Sequence, residues 1–275
     1  MINLFLISLA LVWMIFASVE DLRKREVEDW VSYSLIIFAV GIRFFYSLFY
    51  GDYSVFYSGL IGLGIFFLLG NLFYYSRIFA GADAKLMIAL GVILPFSNSF
   101  LINFKLFFLF LFLFFIVGGV YGLAWSFVLS IKNFKKFKVD FHKRIFSSKK
   151  LILSTTFFGL VIFFFGFFMF PFFLLGILLI GYPYLLFYSK SVDSVAMVKN
   201  VLPKELTIGD WLVNDILVGK KLIKANWDGL TKEEIQVLKK RNKRVLVRYG
   251  IPFIPVFLIS FILYLISYNL IFNIL

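Results

Sequence analysis

The sequence predicts an all-α fold: a polytopic transmembrane helical bundle of about six to eight spans, with a small cytoplasmic C-terminal region before the last span. Three observations lead there. Hydrophobic residues make up 62% of the 275 positions and charged residues only 16%, whereas soluble domains run nearer half apolar and a quarter charged. The apolar residues come in runs of about 20, the length that crosses a hydrocarbon core. The basic residues behind the net charge of +13 sit in a few loops between those runs, as expected of loops facing an anionic membrane surface rather than nucleic acid. Cysteine is absent, which excludes disulfides, thiol catalysis and thiolate-held metals.

Apolar runs occupy 2–19, 31–49, 54–74, 84–97, 101–129, 151–169, 171–189 and 250–273. The first lacks the basic start of a signal peptide and precedes many more spans, so it reads as a retained helix. Leu151 to Tyr188 is too long for one crossing and is expected to turn near Phe170-Pro171, since proline is well placed at a helix start. Eight helices result, with six or seven as the alternative. The chain then divides into a bundle at 1–129, a basic loop at 130–150, a hairpin at 151–189, a basic region at 190–249 and a final helix at 250–275.

Loop charge orients the bundle. With the N-terminus outside, 20–30, 75–83, 130–150 and 190–249 share one face, and these loops hold Arg23, Lys24, Arg25, Arg77, the lysine-rich stretch Lys132–Lys150 and the cluster from Lys239 to Arg248. The opposite tips, Gly51-Asp52, Ser97-Asn98-Ser99 and the turn at 170, carry no lysine or arginine. The positive-inside rule makes the first face cytoplasmic in a cell membrane. Arg43 and Lys105 lie toward the outer ends of their spans and are expected to snorkel. Gly59, Gly62, Gly64, Gly118 and Gly122 fall where helices can approach closely. In 190–249, Thr231-Lys232-Glu233-Glu234 reads as a capping box opening a basic helix through Val245. With Ile235 and Leu238 on one side and lysines and arginines on the other, this helix is expected to rest on anionic lipid, with direct substrate contact as the alternative.

Two acids stand out by position. Asp21 ends the first helix, in Ser18-Val19-Glu20-Asp21-Leu22-Arg23, and Asp83 begins the fourth, in Ala80-Gly81-Ala82-Asp83-Ala84-Lys85-Leu86. Both fall on the cytoplasmic face. Paired carboxylates can share a proton, activate water on a peptide carbonyl and protonate the leaving amine. The sole histidine, His142, lies in the lysine-rich loop and suits a solvated role. A plainer reading stays open: Asp83 as an ordinary helix N-terminal residue, and Asp21 as a partner of Arg23 or Arg25. If the two do form a dyad, the helix dipoles would make Asp83 the base and leave the shared proton on Asp21.

The stretch Gly81-Ala82-Asp83-Ala84-Lys85-Leu86-x-x-Ala89-x-Gly91 resembles the aspartate motif of the type IV prepilin peptidase and preflagellin peptidase family, membrane aspartic proteases whose motif is usually written GxGD. Ser18-x-x-Asp21-Leu22-Arg23-x-Arg25-x-Val27 is similar to that family's other aspartate motif, and the two spans between the aspartates fit as well. The resemblance implies Asp21 and Asp83 as catalytic residues, with Gly81, Ala82, Lys85 and Arg23 as motif or supporting residues. It also implies a leader peptidase acting on prepilin-like or archaellin (preflagellin) precursors, without cofactor or metal. Ala80 and Ala82 depart from the usual glycines, and alanine at positive φ would be strained. The cysteine loops of bacterial members are absent, which argues against their additional N-methyltransferase activity. Gly229-Leu230-Thr231-x-Glu233-Glu234-Ile235 and Gly250-Ile251-Pro252-Phe253-Ile254-Pro255 look similar to C-terminal regions of archaeal members. The expected partners are therefore such precursors and membrane lipids, not nucleic acid. The rival functions are a membrane assembly platform and a transporter. The second would want more ionisable groups in the spans than Arg43 and Lys105.

Overall fold

The computed structural model describes residues 2–97, 99–219, 221–227, 229–241 and 243–273. Asn98 of the expected outer tip and the side chain of Arg241 lie outside the described residues. The chain forms two compact units, Met1–Gly122 with Ile251–Leu275, and Leu123–Gly250.

The first unit holds α1 (Ile2–Lys24), α2 (Asp29–Tyr50), α3 (Ser54–Tyr75), α4 (Gly81–Ile93) and most of α5 (Phe100–Lys132), together with the last helix of the chain, Ile254–Asn273. Long apolar runs produce the long helices, and polar punctuation separates them. Gly51, at φ 69°, ends α2 in the left-handed conformation that glycine adopts freely. The Asp52 carboxylate then accepts the Ser54 N–H at 3.0 Å and starts α3. The fourth run behaves differently. It gives a helix of 13 residues, about 20 Å long at 1.5 Å per residue and too short to cross. Most of its residues are buried, from Asp83 to Ile93, as befits a helix apolar on all sides. Gly62 lets α3 lie against it, since a methyl there would collide with the Gly91 carbonyl. Gly59 leaves room for the Arg43 side chain and Gly118 meets Phe253, whereas Gly64 and Gly122 face open space.

The second unit contains the end of α5, α6 (Phe134–Ser147), α7 (Lys149–Phe165), α8 (Phe170–Val192), α9 (Lys232–Arg241) and five short strands. Pro171 sits in the first turn of α8, so the 151–189 hairpin turns where expected. Strands β1 (Val198–Val201), β5 (Val245–Arg248) and β2 (Trp211–Leu212) form one antiparallel sheet, and β3 (Ile216–Val218) pairs with β4 (Lys221–Ile223). The capping box forms: the Thr231 N–H donates to Glu234 Oε2 at 2.9 Å, and the Glu234 N–H to Thr231 Oγ1 at 3.3 Å. The helix it opens stops at Arg241 rather than Val245, because Val245 and Val247 alternate inward as a strand. Ile235 and Leu238 are not on lipid; they are buried in a small core with Val201, Leu212, Val245 and Val247.

Among the described residues, five helices are long and apolar enough to cross a membrane, and α6 with α7 pass only together, bent by 74°. The protein is thus a multi-pass membrane helical bundle with five spans by this measure, or six with the bent pair. Among the expected spans, the fourth is the short α4, and the last helix shows a shorter apolar stretch, Ile254–Leu270, among the residues described with their side chains.

Candidate active site

The C-terminal end of α1, the N-terminal end of α4 and the N-terminal end of α10 (Ile254–Asn273) meet in the first unit. Asp21 is 7% exposed and Asp83 8% exposed. The Ile254 N–H, at the first residue of α10, donates to Asp21 Oδ2 at 2.9 Å, and the Phe253 N–H also bonds this carboxyl. Asp83 occupies the third helical position of α4, and its Oδ2 accepts the Ala80 N–H at 3.1 Å. The ordinary capping role of Asp83 is therefore real, and it occurs on a buried side chain. Asp83 lies within electrostatic range of Asp21, so the structure brings the two carboxyls into one environment. Phe79, just before α4, packs its ring on Phe253 and Phe257 of the α10 end at 6.3 and 6.0 Å. Tyr121 of α5 also lies within range of the Asp21 charge.

The division of labour expected from helix dipoles loses its basis here. Asp21 ends α1, but the start of α10 points N–H groups at it, so both carboxyls sit at positive helix ends. Backbone strain at the alanines is likewise absent. Ala80 is extended at φ −73° and ψ 167°, and neither Ala82 nor Gly81 has positive φ. Among the described residues, the non-glycine residues with positive φ are Arg25, just past the end of α1, and Arg77, just past the end of α3.

The remaining expected residues divide. Gly81 opens α4, and Ala82 packs at the edge of the core. Lys85 points away from the carboxyls: its Nζ pairs with Asp29 at 2.5 Å and lies 5.7 Å from the centre of the Tyr33 ring. It lines a cavity of about 720 Å³ between α2, α3 and α4, whose walls include Tyr33, Leu63, Phe67 and Ile88. Arg23 is exposed and is not the partner of Asp21; the Arg25 charge does act on that carboxyl. Among the described residues, no three of His, Cys, Asp and Glu cluster as a metal site would require.

Two contributors escaped the sequence reading: the backbone of Phe253 and Ile254, and Arg43. The first had a signal in Gly250-Ile251-Pro252-Phe253-Ile254-Pro255, with prolines marking a helix start. Arg43 does not snorkel; it is 1% exposed. Its guanidinium donates to the carbonyls of Val92 at 2.8 Å, Val55 at 3.0 Å, Ile93 at 3.3 Å and Pro95 at 2.7 Å. It therefore caps the end of α4 opposite Asp83. Lys105 is exposed.

Comparison with known proteins gives the following similarities. Residues 8–123 match the type IV leader peptidase family. A preflagellin peptidase of Methanococcus maripaludis is 38% identical over 82 residues, which is 30% of this chain and 35% of that relative. Preflagellin peptidases of Methanocaldococcus jannaschii and Methanococcus voltae are 30% and 25% identical over stretches covering 37% of their own lengths. The aligned stretch thus spans little more than a third of these curated relatives. No solved structure matches the chain. The segment 8–123, in which Asp21 closes the first helix and Asp83 opens α4, is thus similar to the type IV leader peptidase family over somewhat less than half of the chain.

Proposed function

We propose that the protein is a membrane aspartic endopeptidase that removes the short charged leader of prepilin-like or preflagellin precursors at the cytoplasmic face of the cell membrane. The observation that carries this reading is the burial of Asp21 and Asp83, each holding a helix-terminal N–H, within one electrostatic environment of the family segment. With one proton between the two carboxyls, the ionised one takes a proton from water as the oxygen attacks the scissile carbonyl carbon. The protonated one gives its proton to the carbonyl oxygen, forming a tetrahedral diol. Collapse of the diol breaks the C–N bond: the leaving amine takes the proton the dyad holds, one diol hydroxyl gives its proton back to the pair as the carboxyl product forms, and the dyad again holds one proton. Neither carboxyl is assigned the base alone, since a coupled pair titrates as a unit. The positive-inside pattern of the loops supports this reading, since it favours both aspartates at the face where a cytoplasmic leader joins its apolar segment.

The test is processing of a co-expressed precursor, read by sequencing the new N-terminus. Asp21→Asn and Asp83→Asn should each lower cleavage by about a thousandfold or more. Asn is nearly the same size and its carbonyl oxygen can still accept the helix N–H, so folding should persist. Normal processing by either variant ends this proposal.

A further inference from the structure

We infer that α6 is an interfacial helix that docks on anionic lipid headgroups. Between Lys132 and Lys150 stand eight basic residues against the single acid Asp140. At 14 residues α6 is too short to span, and it meets α7 at 74° across Ser148. Since α7 lies along α8, with Gly159 against Ile180 and Gly166 against Phe173, and α8 is long and apolar enough to cross, a helix bent by 74° from α7 runs close to the plane of the bilayer. One side of α6 is already occupied. Phe137 packs its ring on Tyr188 of α8 at 5.5 Å, and Arg144 bonds Asp140 at 2.6 Å while Ser194 bridges both.

The side turned away from α8 keeps large apolar groups in the open. Phe146 is 78% exposed and Val139 71% exposed. They are seven residues apart and so lie on one face, with Lys135, Lys138 and His142 between and beside them. Exposed apolar groups among lysines on a helix lying along a membrane fit the headgroup boundary, where the rings enter and the ammonium groups meet phosphate. Charge selects the occupant: a face this basic favours an anionic surface over a neutral one.

The absence of cysteine makes the test direct. Full-length Val139→Cys, Phe146→Cys and Ser147→Cys proteins, each carrying an environment-sensitive fluorophore, are reconstituted in phosphatidylcholine vesicles with or without one-third phosphatidylglycerol. With the anionic lipid, probes at 139 and 146 should be quenched by lipid-borne quencher and become several-fold less accessible to iodide, while 147 stays accessible. Replacing Lys135, Lys138, Lys143 and Lys149 by glutamine should remove the dependence on phosphatidylglycerol. Equal iodide access at all three sites in both vesicles overturns the inference. So does shielding of the same size in phosphatidylcholine alone, or shielding that needs an added protein.

Discussion

The two ends of α4 handle buried charge in opposite ways. At the C-terminal end, Arg43 spends its guanidinium on the carbonyls of Val92, Ile93 and Pro95, at the helix pole that favours a cation, and on Val55 of α3. At the N-terminal end, Asp83 accepts one N–H and Asp21 the N–H groups at the start of α10, leaving oxygen lone pairs for water or a peptide. A saturated charge fixes structure, whereas an unsaturated one is available for chemistry. This contrast also weighs against transport: the buried cation of α2 is bound to backbone and is not placed to relay anything.

Arg43→Met should sharpen this comparison most. It strands several buried carbonyls, each costing about 1–3 kcal/mol when unpaired, so the loss should reach about 3 kcal/mol or more. Thermal unfolding in detergent reads it directly. Asp83→Asn should change stability by less than about 1 kcal/mol while removing cleavage. If the two variants lose stability equally, the distinction between the ends of α4 fails. Next in size is Gly62→Leu. Its side chain would enter the space of the Gly91 carbonyl and Pro95, with an overpacking cost of about 1–3 kcal/mol and displacement of α4. Gly64→Leu, toward open space, serves as the control and should be nearly silent.

A smaller effect probes the Asp21 side. Ile254→Pro removes the N–H that Asp21 accepts, yet proline suits the first helical position. Cleavage should fall about tenfold, the worth of roughly one hydrogen bond in the transition state. Ile254→Val keeps the N–H and should stay near normal. Equal losses in both would assign the effect to packing of the buried Ile254 side chain.

The parts legible in the sequence are those written in local pattern. Apolar runs give α1, α2, α3, α5 and the α7–α8 hairpin, and the two aspartate motifs stand beside helix ends that the same runs define. The shortness of α4 was hidden because Leu94 and Phe96 continue the apolar run beyond its last turn and are buried as well. The strands of the second unit are two to four residues long, too brief for alternation to show. Contacts such as Arg43 with Pro95, or Asp21 with Ile254, join residues far apart in sequence and obey no local rule. The buried arginine misled for a physical reason. In a membrane span, snorkelling and capping another helix both hide the charge, and only the neighbouring helix decides between them.

The least consequential change should be at the motif residue that faces away from the carboxyls. Lys85 is half-buried but its partner Asp29 is exposed, and pairs this open to solvent contribute about 0–1 kcal/mol. Lys85→Met should therefore leave stability within that range and, because the side chain points toward α2 and the cavity beside it, should leave maximal cleavage rate nearly unchanged. Any effect is expected on precursor affinity, since the cavity wall loses its ammonium group. A large fall in maximal rate with unchanged affinity would show that Lys85 acts on the carboxyls after all, and would place the boundary between the structural and chemical ends of α4 further along the helix than its contacts indicate.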